Sequence, residues 1–325
     1  MKLSFIVTTY NLEERLIRRC IRSISRQGLN NEDYEILVVD DESDVSPQPL
    51  IDELAEELPI RFFRQSHARQ GAARNLALKE AKGDYIQFVD GDDYLFSLTA
   101  DWYLPLMEDF NLDVLIYGFE RITDPNSYMQ RPHSQTFLDI YSGQRYMKSH
   151  TVFGSCCTMC FRRDLLGLES DHPLLFSEGI YIEDEEFVTR LVWQAGKVGV
   201  SDFVGYAYVQ REDSTTNKRN AEHVEQLFQD YFTVLDKLSA CADNEPMPRD
   251  GFDRKLHYLS VDILRHALRG DDWQQRFSDC SSKLKARSLY PLPSAKYSEK
   301  YRMFRILSNN NTGIKVLRFF EKKNG

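Results

Sequence analysis

No stretch of this 325-residue sequence approaches the roughly 18 consecutive apolar residues of a membrane-spanning helix. The opening Met1-Lys-Leu-Ser-Phe-Ile-Val-Thr-Thr-Tyr10 lacks the long apolar stretch and small-residue cleavage site of an export signal. A soluble, unexported, cytoplasmic chain is expected. Glycine and proline are sparse, at 16 and 11 residues, which excludes collagen-like and low-complexity chains. There are six cysteines, and a chain of this size in a reducing compartment needs no disulfide staples, so free thiols are expected. The seven histidines show no metal-ligand spacing. Cys157-Thr-Met-Cys160 has neither a second pair nor a neighbouring histidine to complete a zinc site, and reads as strand packing.

What is present is unevenly distributed charge. The formal net charge is −9, yet from Lys283 onward eleven basic residues face only Glu299 and Glu321. That tail carries +9 and leaves −18 on residues 1–282. An acidic body argues against a nucleic-acid partner; the tail alone suits an anionic surface.

Short β-branched runs at residues 3–9 and 35–39 read as buried parallel strands. Between them Leu16, Ile17, Cys20, Ile21 and Ile24 recur at helical spacing, with Asn11 placed as the cap. The alternation continues through a helix near 49–57, a strand at 60–64, a helix at 71–81 and a strand at 85–90. Further strands are expected at 114–119, 158–161 and 197–204, with a helix at 183–195. Such alternation predicts an α/β fold, a mostly parallel sheet with helices on both faces and a binding crevice at the carboxyl ends of its strands. From about Glu222 only helical periodicity remains. The expected division is a catalytic domain over 1–218 and a helical C-terminal region over 219–325.

Polar clusters fall where strands end. Asp90, Asp92 and Asp93 crowd three carboxylates into four residues, which suits Mg²⁺ or Mn²⁺ shared with a diphosphate, or simply a turn. Asp40 and Asp41 could accept hydrogen bonds from a base or ribose, or cap the next turn. Gly71-Ala-Ala-Arg-Asn75 opens a helix and offers Arg74 to a phosphate or carboxylate, or to a surface ion pair. Glu183-Asp184-Glu185-Glu186 begins a helix where the dipole welcomes acids, and a carboxylate held there could be a general base.

Taken in register, Phe5-Ile-Val-Thr-Thr-Tyr-Asn11, Val38-Val-Asp-Asp-Glu-Ser43, Gly71-Ala-Ala-Arg-Asn75, Gly83-Asp-Tyr-Ile-Gln-Phe-Val-Asp-Gly-Asp-Asp93 and Glu183-Asp184 resemble the family 2 glycosyltransferases of the GT-A, Rossmann-like fold. The resemblance covers roughly residues 3–215. It implies metal-dependent, inverting transfer of a sugar from a nucleoside-diphosphate donor, usually a UDP-sugar, to a saccharide or lipid-linked acceptor in cell-surface polysaccharide synthesis. By position it implies that Thr8 and Tyr10 line the nucleotide pocket, Asp40 reads the base and Arg74 lies near the nucleotide or its phosphates. Asp92 would bind the metal, with Asp90 near metal and ribose. Asp184 would be the catalytic base, and Glu183 would orient acceptor or donor. Arg211 and Ser214 would belong to a loop closing on the donor. The chain departs from the family pattern at Cys157-Thr-Met-Cys160 before Phe161-Arg-Arg163, which leaves the acceptor open. The alternatives are a non-catalytic nucleotide-binding relative and a phospho-receiver domain, whose opening acidic pair Asp40-Asp41 matches; no Met-Pro-like turn follows Asp90 to support the receiver.

In the tail, Lys315-Val-Leu-Arg-Phe-Phe-Glu-Lys-Lys323 mixes basic and aromatic residues. Two expectations stand together: residues 296–325 contact an anionic membrane peripherally at its inner face, or Leu317, Phe319 and Phe320 pack on the protein's own body.

Overall fold

Every residue of Leu3–Thr9 (β1) is buried, as a β-branched run covered on both faces of a sheet must be. The computed structural model describes all residues except 124–136, 212–220, 246–247 and 324–325. After β1 come α1 (Glu14–Ile24), β2 (Tyr34–Asp40), α2 (Gln48–Ala55), β3 (Ile60–Arg64), α3 (Arg69–Glu80), β4 (Tyr85–Asp90), β5 (Tyr94–Leu95), α4 (Thr99–Asp109) and β6 (Val114–Ile122). Then follow β7 (Leu138–Tyr141), α5 (Gly143–Ser149), β8 (Met159–Arg162), α6 (Glu183–Gln194) and β9 (Val198–Val209). Helices close the chain: α7 (Ala221–Asn244), α8 (Asp250–Ala267), α9 (Trp273–Ala286), α10 (Glu299–Ser308) and α11 (Asn311–Lys323).

The chain forms two compact units, Met1–Gln144 with Phe153–Val224, and Arg145–Val152 with Glu225–Gly325. The first holds a sheet in the order β3-β2-β1-β4-β8-β6-β9-β5, with β7 on β9. Strands β3, β2, β1 and β4 are parallel, as are β6 and β9; β8, β5 and β7 run against their neighbours. Six of the nine therefore share a direction. Register pairs Thr9 with Asp40 and Thr8 with Asp90, so the end of β1 is flanked by a carboxylate on each side. Because β8 is reversed, its amino end, not its carboxyl end, reaches this same edge. Beneath it Phe88, Phe161, Phe176 and Phe187 pack ring against ring at 3.8–6.4 Å between centroids. Truncating one such buried ring typically costs about 3–5 kcal/mol.

One local expectation is corrected. Asn11 does not cap α1; the helix starts at Glu14 with Glu13 at the cap position. Asn11 adopts a left-handed φ of 48° and accepts a hydrogen bond from the Asp44 N–H at 2.8 Å, while its own N–H donates to Ser43 Oγ. Its side chain joins the loops after β1 and β2 instead of serving the helix.

In the second unit α8 buries Phe252, Leu256, Leu259, Ile263 and Leu264. The short segment 145–152 belongs here because the buried Lys255 ammonium donates to the Val152 carbonyl at 2.9 Å and Lys148 pairs with Asp250 at 2.7 Å. No helix among the described residues is long and apolar enough to cross a membrane.

Candidate active site

The site is built around a buried cation. Arg74, on the second turn of α3, is 1% exposed, and its guanidinium lies 5.2 Å from the Phe176 ring centre and 5.7 Å from that of Phe88. A charge so far from water needs anions. Its Nη1 donates to Glu183 Oε1 at 2.8 Å and its Nη2 to Asp90 Oδ1 at 3.1 Å, with Asp184 Oδ1 3.7 Å away. Burial works against the charge, but Cys156, Asp184, Asp90 and Glu183 around it hold the guanidinium protonated, well above its ordinary range. Gly71 lets α3 approach: a Cβ there would sit 2.8 Å from the Ser177 carbonyl oxygen and 3.2 Å from Glu183 Cγ.

Around this hub the carboxylates divide by exposure. Glu183 is enclosed; burial and then the adjacent Asp184 charge push it well above the usual glutamate range. Asp184 opens α6 and keeps 24% of its side chain exposed. Burial first, and Asp90 after it, raise Asp184 above the ordinary aspartate value, while Arg74 opposes them. A raised carboxylate is a stronger base, which is what removing a hydroxyl proton requires. Asp90 accepts from the Gln70 amide at 2.7 Å as well as from Arg74, both at Oδ1, and its N–H donates to the Tyr206 hydroxyl. Asp92 is partly exposed and accepts from Arg211 Nε at 3.0 Å. Burial, then the Asp90 charge, raise Asp92, and Arg211 opposes them. Asp93 is buried; it accepts from the Tyr206 hydroxyl and the Val209 N–H, each at 2.7 Å, and so fastens the turn to β9.

At the ends of β1 and β2, Thr8 Oγ1 accepts from Gln70 at 3.3 Å. Tyr10 is exposed and stacks on His67, with ring centroids 4.4 Å apart. His67 Nδ1 lies 2.9 Å from Asp41, which also accepts from Gln65 at 2.7 Å and the Ala68 N–H at 2.9 Å.

Thr8, Arg74, Asp90, Glu183 and Asp184 are thus joined in one hydrogen-bonded and ionic network through Gln70 and Arg74, and Asp92 with Arg211 sits on the adjoining turn. Ser214 lies outside the described residues. Three of the expected site residues are enclosed. Arg74 is engaged by the Glu183 and Asp90 carboxylates and is enclosed. Glu183 is enclosed likewise and pairs with Arg74. Asp40 is fully buried, with its carboxylate taken by Ser43 and by Arg64 at 3.0 Å; it braces the turn and leaves Asp41, His67 and Tyr10 nearer the surface. Gln70 was missed although it stands one turn before Arg74 on the same helix face. His67 carried no signal, since its partners Tyr10 and Asp41 are distant in sequence. Cys156, Cys157 and Cys160 are buried with free thiols, in keeping with strand packing.

No group of three or more His, Cys, Asp or Glu among the described residues could hold a metal alone. Asp90 Oδ2 carries no hydrogen bond among them, and Asp92 is within reach of solvent. One or two carboxylates beside an open crevice fit Mg²⁺ or Mn²⁺, which take their remaining ligands from phosphate and water.

Residues 4–167, half of the chain, match the Glycosyl transferase family 2 domain. The poly(ribitol-phosphate) beta-N-acetylglucosaminyltransferase TarS of Staphylococcus aureus (strain MW2) is 25% identical over 244 residues, 72% of this chain and 39% of that protein. The chain spans about two fifths of the length of such curated relatives. EpsJ of Bacillus subtilis (strain 168), described as an uncharacterized glycosyltransferase, is 29% identical over 318 residues, 83% of this chain and 87% of its own. The crystal structure of S. aureus TarS 1–349 in complex with UDP-GlcNAc superposes with a TM-score of 0.71 at 20% identity, over 100% of this chain and 91% of that one. The mannosyltransferase PcManGT from Pyrobaculum calidifontis, in complex with GDP-Man and Mn²⁺, gives 0.54 at 15% identity, over 99% and 87%. At these identities the structures establish the fold, the GT-A arrangement expected from the sequence, and they leave no place for a phospho-receiver. With its sheet order, its acidic strand ends and its matched domain in agreement, the chain belongs to glycosyl transferase family 2.

Proposed function

We propose that this protein transfers a sugar from a nucleoside-diphosphate donor, a UDP-sugar, to a hydroxyl of a saccharide or lipid-linked acceptor in cell-surface polysaccharide synthesis, with inversion at the anomeric carbon. The observation that carries the reading is the pairing, through one buried arginine, of an accessible carboxylate on α6 with the acidic turn after β4. Tyr10 and His67 offer a flat surface on which a nucleobase can stack, beside the acceptor oxygens of Asp41. Asp92, with Asp90, would hold Mg²⁺ or Mn²⁺, which when bound neutralises the charge gathering on the departing diphosphate.

Asp184 takes the proton from the acceptor hydroxyl as that oxygen attacks the anomeric carbon opposite the leaving group. One displacement with one base inverts the configuration. Arg74 and Glu183 fix the position of Asp184 and touch neither substrate. The acceptor approaches past Phe153, an exposed ring stacked on Phe119 at 5.7 Å. The next residue, Gly154, is pressed so closely against the Glu185 carboxylate that it leaves no room for a Cβ. This puts the aromatic pair beside the first turn of α6, where a sugar ring could lie on it. Residence at the inner face of a membrane belongs to the same reading.

The test is a screen of nucleoside-diphosphate sugars with Mn²⁺ or Mg²⁺, read by thermal shift, by turnover and by the anomeric configuration of the product. A UDP-sugar should stabilise the protein and turn over with inversion. Stabilisation without turnover on any acceptor would identify a non-catalytic relative, and retained configuration would refute the single-displacement mechanism.

A further inference from the structure

Helices α10 and α11 have their inward faces satisfied and still present large apolar side chains outward. On α10, Tyr301 and Phe304 point inward and are buried, while Met303 and Ile306 are exposed. On α11, Leu317 is buried, and the carboxylate of the buried Glu321 accepts from Arg265 at 2.7 Å and from Arg269 at 3.4 Å. The opposite face carries Val316, Phe319 and Phe320, the two rings 59% and 57% exposed. Helical spacing sets Val316, Phe319 and Phe320 on one stripe, flanked by the exposed Lys315 and Lys322.

The charge on these two helices is predominantly basic. Residues 299–323 hold seven basic and two acidic side chains; of the two acids, Glu321 is already neutralised inside the unit and Glu299 pairs with Arg302. Of the tail's large apolar side chains, Leu317 is buried, whereas Phe319 and Phe320 are each more than half exposed.

We infer that the outward face of α10 and α11 docks on an anionic lipid bilayer, the aromatic and aliphatic side chains entering the headgroup boundary and the lysines and arginines meeting lipid phosphates. Two copies of so basic a face would repel each other, which disfavours self-association. Exposed rings between lysines are what an interfacial helix needs, since hydrocarbon burial and anionic attraction add.

The inference goes beyond the proposed reaction and is tested without it, by co-sedimentation of the full chain with phosphatidylcholine vesicles that contain or lack phosphatidylglycerol. The wild type should bind only the anionic vesicles and be released by salt. Phe319→Ser with Phe320→Ser should abolish binding. Lys315→Gln with Lys322→Gln should weaken it roughly thirtyfold, at about fivefold per basic residue. Both pairs of changes fall on exposed residues, so melting temperature and nucleotide-sugar binding should stay at wild-type values. The inference is overturned by wild-type protein that ignores anionic vesicles, by variants that bind as well as wild type, or by variants that alter only the oligomeric state in light scattering.

Discussion

The two units of this chain carry opposite charge and handle it in opposite ways. In the first, Asp90, Glu183 and Asp184 are drawn around a buried arginine; Arg74 and Glu183 have been taken from water, and Asp90 and Asp184 are held against the arginine at the edge of the crevice. In the second, the basic residues of α9 to α11 stay mostly in solvent and pair, when they do, across the surface, as Arg287 does with Asp236 at 2.6 Å. Burial, more than sign, decides what a charge does. A buried cluster holds atoms in place and shifts their proton affinity, whereas an exposed array acts as a field on something outside.

That contrast can be broken by substitution. The largest effect is expected for Arg74→Met, which leaves the Glu183 and Asp90 carboxylates without their partner. Loss of one member of a buried pair costs about 3–5 kcal/mol, and a urea titration should show it. Asp92→Asn should leave the fold intact but weaken Mn²⁺-dependent donor binding at least about tenfold, measured by calorimetry with and without the metal; equal weakening without metal would remove Asp92 from the cation site. Arg287→Gln, in the second unit, should change stability by under about 1 kcal/mol and leave sugar transfer untouched. A loss comparable to that of Arg74→Met would erase the distinction between the units.

Much of the first unit was legible because a parallel strand buried on both faces is written as an unbroken apolar run, and the polar residues that follow must then fall at its end. The sequence placed β1, β2, β4 and α6, and with them Asp90, Asp92 and Asp184. It did not show the two-residue β5, or α4, where Pro105 inside the helix contradicts the local signal. Nor did it show that Arg74 would be enclosed. A guanidinium suits phosphate and carboxylate equally, and only the packing of Phe88 and Phe176 against it decides between them. Asp40 and Asp41 both follow β2, and the resemblance points to Asp40, but Arg64 and Ser43 cover Asp40 and leave Asp41 to His67 and Gln65. In the second unit helical spacing foretold the helices, but the exposure of Phe319 and Phe320 depended on which stripe of α11 was buried.

The most direct test of the proposed chemistry is the rate of sugar transfer by Asp184→Asn, measured beside its donor-induced thermal shift. Loss of a general base costs about 10²–10⁴-fold. With Asp184 as that base, transfer should fall by this factor while the shift on binding a UDP-sugar stays at its wild-type size. Transfer at a rate near wild type would contradict the assignment.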